Sequence, residues 1–225
     1  MKALKRIFQS SLGKKYIMAI TGMLLFLFVI GHMLGNLQIY LGKEPLNAYG
    51  HFLQSNVEIL WPARIGLLVL ALLHIITVVQ LVRENRRARP VGYDSTKLYG
   101  ASFASQAMTF SGLIVLAFIV FHLLHFTVGV VQPEGMGFTD LEGRHDVYRM
   151  MVNGFSNPGI AMIYLICMGL LALHLSHGVS AMFQSLGWKK RAFANAIDRF
   201  AKISALVIFL GNCSIPIAIL LGLVK

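Results

Sequence analysis

Charged and apolar residues fall in blocks along this chain. Charge is absent from five long stretches: Ile17 to Gly42, Ile65 to Val82, Leu98 to Pro133, Val152 to Trp188 and Ile203 to Val224. A helix that crosses a bilayer needs roughly 20 apolar residues, so each stretch is long enough, the second narrowly. The pattern predicts an all-α fold: an integral membrane bundle of five transmembrane helices at roughly 17–42, 64–83, 101–131, 158–187 and 203–224, forming one domain over 1–225. The longest connections, roughly 43–63 and 132–157, mix aromatic and polar residues, including Trp61-Pro62 and Phe155 with Pro158. That mixture suits an interfacial belt or a short helix lying on the membrane surface.

Charge adds an orientation. The N-terminal arm (Lys2, Lys5, Arg6, Lys14, Lys15), the loop after the second span (Arg83, Arg86, Arg87, Arg89, Lys97) and the loop after the fourth (Lys189, Lys190, Arg191, Arg199, Lys202) hold fifteen of the 20 basic residues. The other side has Lys43, Arg64, Arg144, Arg149 and Lys225, together with six of the nine acids. The positive-inside rule then puts the N-terminus of this multi-pass protein in the cytoplasm and the C-terminus outside. The net +11 reflects this topology and not nucleic-acid binding. Three basic segments on one face also suit a docked soluble partner. Met1 to Tyr16 has no small-residue cleavage site before the first apolar run, so the first span is expected to be retained.

Histidine changes the picture most. His32, His74, the pair His122 and His125, and the pair His174 and His177 all lie in uncharged spans. An imidazole in hydrocarbon is costly unless satisfied, and four spans each bearing one at comparable depth ask for a common ligand. At about 1.5 Å rise per residue, His32 and His122 lie roughly 22 and 21 Å from the cytoplasmic starts of their helices, sharing a level near the outer leaflet. His74 and His174 lie about 12 and 18 Å from the cytoplasmic ends of theirs. Two levels of two histidines fit two stacked bis-imidazole b haems enclosed by four helices. Cys167 and Cys213 lie within helices and no C-x-x-C-H occurs, so such haems would be held without thioether links. Spacing does not choose between His122 and His125, or between His174 and His177, and on depth His177 matches His74 better. The unused members would hydrogen-bond a propionate, a carbonyl or a quinone. His51 and His145 fall in outer loops, where solvated histidines are the default.

The first two helices also resemble the next two. Thr21-Gly22 precedes His32 as Ser111-Gly112 precedes His122, with 90 residues between the copies. Gly22 and Gly112 suit either a porphyrin edge that needs a bare helix surface or close helix packing. A histidine-lined metal transporter is the rival reading, weakened because the spans have no Asp or Glu to coordinate or relay a cation.

The motifs Val29-Ile-Gly-His32-Met-Leu-Gly, Phe121-His122-Leu-Leu-His125-Phe, Val147-Tyr-Arg-Met-Met-Val-Asn-Gly-Phe-Ser-Asn-Pro158 and Leu173-His174-Leu-Ser-His177-Gly, with Phe183-Gln-Ser-Leu-Gly-Trp188 after it, resemble a known family. It is the dihaem cytochrome b membrane-anchor subunit of bacterial succinate dehydrogenase (succinate:menaquinone oxidoreductase) and fumarate reductase. The resemblance covers nearly the whole chain. It implies that His32 and His122 are the axial ligands of the distal haem iron, and His74 and His174 those of the proximal one. The distance from His174 to Gly187-Trp188 favours His174 over His177, and position favours His122 over His125.

The resemblance also implies a flavoprotein partner with FAD and an iron-sulfur partner, both on the cytoplasmic face. Electrons would pass between the clusters and menaquinone, with quinone chemistry at this subunit. For a quinone site near the distal haem Glu58 is the nearest acidic candidate, with mere solvation at the interface as the equal alternative, and Gln38, His51 and Asn56 are weaker candidates. Arg83 could pair with a proximal-haem propionate or simply snorkel. Some family members carry a glutamate two residues before the fourth-span ligand, proposed as a proton path; here Ala172 stands there, which puts that path in doubt. The cytochrome b of a hydrogenase or formate dehydrogenase is the same-class alternative.

Overall fold

The computed structural model describes residues 10–88 and 107–225. Lys2, Lys5, Arg6, Arg89, Lys97 and the first part of the expected third span lie outside them. The described residues are helical throughout, apart from turns and one isolated bridge between Thr139 and His145. The elements are α1 (Ser11–Asn36), α2 (Lys43–Ser55), α3 (Val57–Arg87), α4 (Met108–Phe126), α5 (Val147–Phe155), α6 (Pro158–Ser185) and α7 (Ala194–Leu220). Short 3-10 turns occupy Leu37–Leu41, Pro133–Gly137 and Arg191–Phe193. Among the described residues, five helices are long and apolar enough to cross a membrane: α1 with its 3-10 extension, α3, α4, α6, and α7 with the turn before it.

Two of the long helices, α1 and α6, begin where a side chain takes up free backbone amides. Ser10 accepts from Gly13 N (3.0 Å) at the start of α1. Asn157 accepts from Gly159 N (2.9 Å) at the start of α6, with Pro158 in the first-turn position that tolerates proline. Charge does not end these helices: α1 starts six residues before its charge-free run, and Lys14 there is buried on Glu84 of α3. That ion pair joins the start of α1 to the end of α3, at the end of the bundle bearing most of the basic residues.

At the opposite end, α2 and α5 pack on each other over the helix termini. Asn47 is 1% exposed; its amide donates to Asp146 Oδ1 (3.0 Å), and its oxygen accepts from Tyr148 N (2.9 Å). Asp146 also caps α5 by accepting from Arg149 N (2.9 Å). Arg144 binds Glu44 and Asp140 at 2.7 Å each, so polar pairing and cap geometry fix one arrangement of this lid.

Within the bundle α1 packs on α3 and α6, and α4 packs on α6. α7 lies along α6 and also touches α1. Small residues allow this, as expected where apolar side chains gain nothing by leaving lipid. Ala161, Ala201 and Ala205 are almost completely buried, and a Cβ on Gly211 would meet Met33 Sδ at 2.5 Å. No comparable packing joins α3 to α4 among the described residues; α3 leans mainly on α1, with some contact to α2, and α4 on α6.

Candidate functional site

The helix register turns the repeat noticed in the sequence into a repeated contact. Thr21 on α1 and Ser111 on α4 are buried, and each sends its hydroxyl proton back along its own helix. Thr21 Oγ1 donates to Ile17 O (2.8 Å) and Ser111 Oγ to Met108 O (3.2 Å). With the proton committed, each oxygen is left as an acceptor. Thr21 Oγ1 lies 3.2 Å from His74 Nδ1 and Ser111 Oγ 3.3 Å from His174 Nδ1. The carbonyls of Met18 and Met108, again 90 residues apart, lie against the same two rings. An Nδ1–H on either ring would find the hydroxyl oxygen as an acceptor, and that tautomer leaves the Nε2 lone pair free.

The glycines complete this level. A Cβ on Gly22 would meet His74 Cε1 at 3.2 Å, and one on Gly112 would meet His174 Cε1 at 3.3 Å. Both distances are tighter than ordinary contact, so each glycine clears room for an imidazole lying across its helix. This places Gly22 and Gly112 beside His74 and His174, and not beside His32 and His122, whose helices they share. His74 on α3 and His174 on α6 thus stand at corresponding places in the two halves of the repeat.

The other level lies eleven residues further along α1 and α4, about 16 Å away. His32 and His122 meet there edge to face with ring centroids 5.7 Å apart. His32 stacks on Phe28 (5.4 Å), and Phe118 packs beside His122 (5.9 Å). Of the histidines in the spans, His125 is the most enclosed, 2% exposed, with both ring nitrogens engaged: Nδ1 by Tyr164 Oη (2.9 Å) and Nε2 by Gln132 Oε1 (2.9 Å). Tyr164 Oη also lies 3.3 Å from His122 Nδ1. By contrast His32 is exposed, and His74, His122 and His174 are partly so, although all four lie inside apolar spans.

The remaining candidates are more scattered. His177 lies near Lys189 and Asp198 at the basic end, where Lys189 donates to Asp198 Oδ1 (2.7 Å). Arg83 is exposed near the end of α3. Glu58 is exposed in the first turn of α3, and Gln38 is half-buried in the 3-10 turn after α1, both at the lidded end. His51 is exposed on α2, with Ser55 Oγ 3.2 Å from its Nε2. His145 is held in the bridge with Thr139. Reasoning from sequence missed the Thr21 and Ser111 hydroxyls as ring partners, and Tyr164 and Gln132 altogether.

The separation of His32 and His122 is compatible with a bis-imidazole haem at that level. Two metal–imidazole bonds of about 2 Å each, plus half the width of each ring, come to about 6 Å between centroids, close to the separation of His32 and His122. Among the described residues no group of three or more His, Cys, Asp or Glu side chains is arranged to hold a metal ion. The histidines pair instead, and two donors are what a porphyrin, which supplies four nitrogens itself, asks of a protein. No protein-family model, curated protein or solved structure matches the chain.

Proposed function

We propose that this chain is the membrane-anchor cytochrome b subunit of a succinate dehydrogenase or fumarate reductase, passing electrons between an iron-sulfur subunit and menaquinone through two b haems. The observation that carries the reading is the meeting of His32 and His122 across the bundle; the matched seating of His74 on Thr21 and His174 on Ser111, each through Nδ1, supports a second such pair with Nε2 as the ligand atom. A haem held by His32 with His122, or by His74 with His174, would supply a low-spin one-electron iron couple with both axial positions filled. The chain's own part is to orient the rings, exclude water with apolar spans, and hold the two levels about 16 Å apart so that the bilayer is crossed in short steps.

Membership of this complex, the flavoprotein and iron-sulfur partners with their FAD and clusters, and menaquinone as substrate rest on the motif resemblance. In this reading the basic end, with Arg83 and Lys189, faces the cytoplasm and the partners, and Glu58 and Gln38 lie on the outer side where quinone would bind. A pyridine haemochromogen assay on the purified chain is the test, and about two non-covalent b haems are expected. Replacing His74 or His174 should remove one haem, and replacing His32 or His122 the other. A folded, colourless preparation overturns the reading in favour of a transporter. Co-purification with a hydrogenase or formate dehydrogenase instead of a flavoprotein would move the cytochrome to that other complex.

A further inference from the structure

We infer that His125, Tyr164 and Gln132 form a hydrogen-bond relay that fixes the tautomer of His122 and lowers the reduction potential of the haem it would ligate. The inference rests on the proposed haem reading and deepens it. His125 is a positioning residue, not a spare ligand.

Chemistry gives the relay its direction. The Gln132 side-chain carbonyl can only accept, so His125 Nε2, 2.9 Å away, carries the proton. A neutral imidazole protonated on Nε2 presents Nδ1 as an acceptor, and Tyr164 donates its hydroxyl proton to it (2.9 Å). The phenol oxygen is then free to accept from His122 Nδ1–H (3.3 Å). His122 is left with its Nε2 lone pair open, the state His74 and His174 reach through a single hydroxyl each. Run in the opposite direction, the chain would put the proton on His122 Nε2 and prevent ligation.

Independent features hold the relay in place. Gln132 is the one non-glycine residue with a left-handed backbone (φ 55°) among the described residues. Strain of that kind persists only where surrounding contacts impose it. The chain reverses after α4 to put it there: Gly129 takes a φ of 75°, and the amides of Val130 and Val131 turn back to Leu124 O. A Cβ on Gly154 of α5 would meet Phe126 at 2.9 Å and His125 Nε2 at 3.1 Å, so glycine there is what lets α5 close over the relay. Phe155 and Phe118 seat the Tyr164 ring edge-on at 4.8 and 5.0 Å.

An acceptor on Nδ1–H makes an axial imidazole a stronger donor and favours ferric iron. Tyr164→Phe removes only the hydroxyl. It should leave two haems per chain and raise the midpoint of one of them, with a change in the reduction equilibrium of about tenfold, equivalent to about 59 mV for one electron. The low-spin electron paramagnetic resonance signal of that haem should shift while the other stays fixed. Gln132→Met, of similar size and with the same backbone demand, should move the same haem in the same direction by a smaller step. His125→Phe should retain both haems. A wild-type chain with two haems whose midpoints are unchanged in Tyr164→Phe and Gln132→Met overturns the relay alone. Loss of a haem in His125→Phe but not in His122→Phe shows His125 to be the ligand and also overturns it. A wild-type chain that binds no haem overturns the underlying reading.

Discussion

Replacing Thr21 by valine keeps the branched shape and removes only the oxygen to which His74 donates. Ser111→Ala does the same for His174. Loss of an outer partner of a metal-ligating histidine typically weakens the site 10–100-fold. Titrating haem into the apoprotein should show that loss at one of two sites for either variant, with similar size because the two contacts are copies. An unchanged affinity in both would mean the hydroxyls only satisfy their own helices. This level was half legible in the sequence. The repeat of Thr21-Gly22 and Ser111-Gly112 marked the places, and histidine chemistry suggested the ligand. Which histidine faced which glycine was not legible, because that depends on how two helices rotate against each other. Tyr164 and Gln132 carried no signal: one is a single tyrosine in an apolar span, and the other is held by backbone geometry in a connection.

At the scale of elements, the alternation of charge-free stretches predicted the five spans because lipid tolerates little else. The ends were harder to read. α7 starts at Ala194 instead of near 203 and carries Asp198, Arg199 and Lys202 in its first turns, since a charge ends the apolar slab and not the helix. α4 stops at Phe126 although the apolar run continues to Val131, because backbone turning at Gly129 and Gln132 folds that stretch back over His125. The lid of α2 and α5 was expected only as a surface helix, and its ion pairs make it sensitive to acid. Hydrogen bonds from Arg144 hold the Glu44 carboxyl below its ordinary 4.5. Burial pushes the Asp140 carboxyl up, but hydrogen bonds from the Arg144 side chain and from the Arg144 and Glu142 backbone outweigh it, leaving a net value below the ordinary 3.8. Both groups bind protons more weakly folded than unfolded, so their contribution is complete above the ordinary values and is lost as pH falls through the lowered ones. Hydrogen exchange at pH 3 against pH 6 should show α2 and α5 losing protection while α6 keeps it, with Arg144→Met flattening the difference. Equal protection of the lid at both values would remove the ion pairs from its stability.

For the whole molecule, the expected orientation can be read directly. Both native cysteines are buried, so they give little background to a membrane-impermeant thiol reagent. In intact cells Leu141→Cys, on a fully exposed side chain at the lidded end, should be labelled, and Lys190→Cys at the basic end should react only after lysis. The reverse pattern would invert the topology and move the partner face outside. The left-handed backbone at Gln132 has a consequence at this same scale. Asparagine tolerates that conformation better than glutamine, and relief of the strain is worth on the order of 1 kcal/mol. Its side chain is one carbon shorter and falls away from His125. Gln132→Asn should therefore melt no higher than the wild type, because the buried Nε2–H of His125 left unpaired costs about 1–3 kcal/mol and cancels the relief, while its affected haem becomes easier to reduce. The residue that strains the backbone is then also the one that keeps His125 satisfied, so durability and electron placement rest on the same bond.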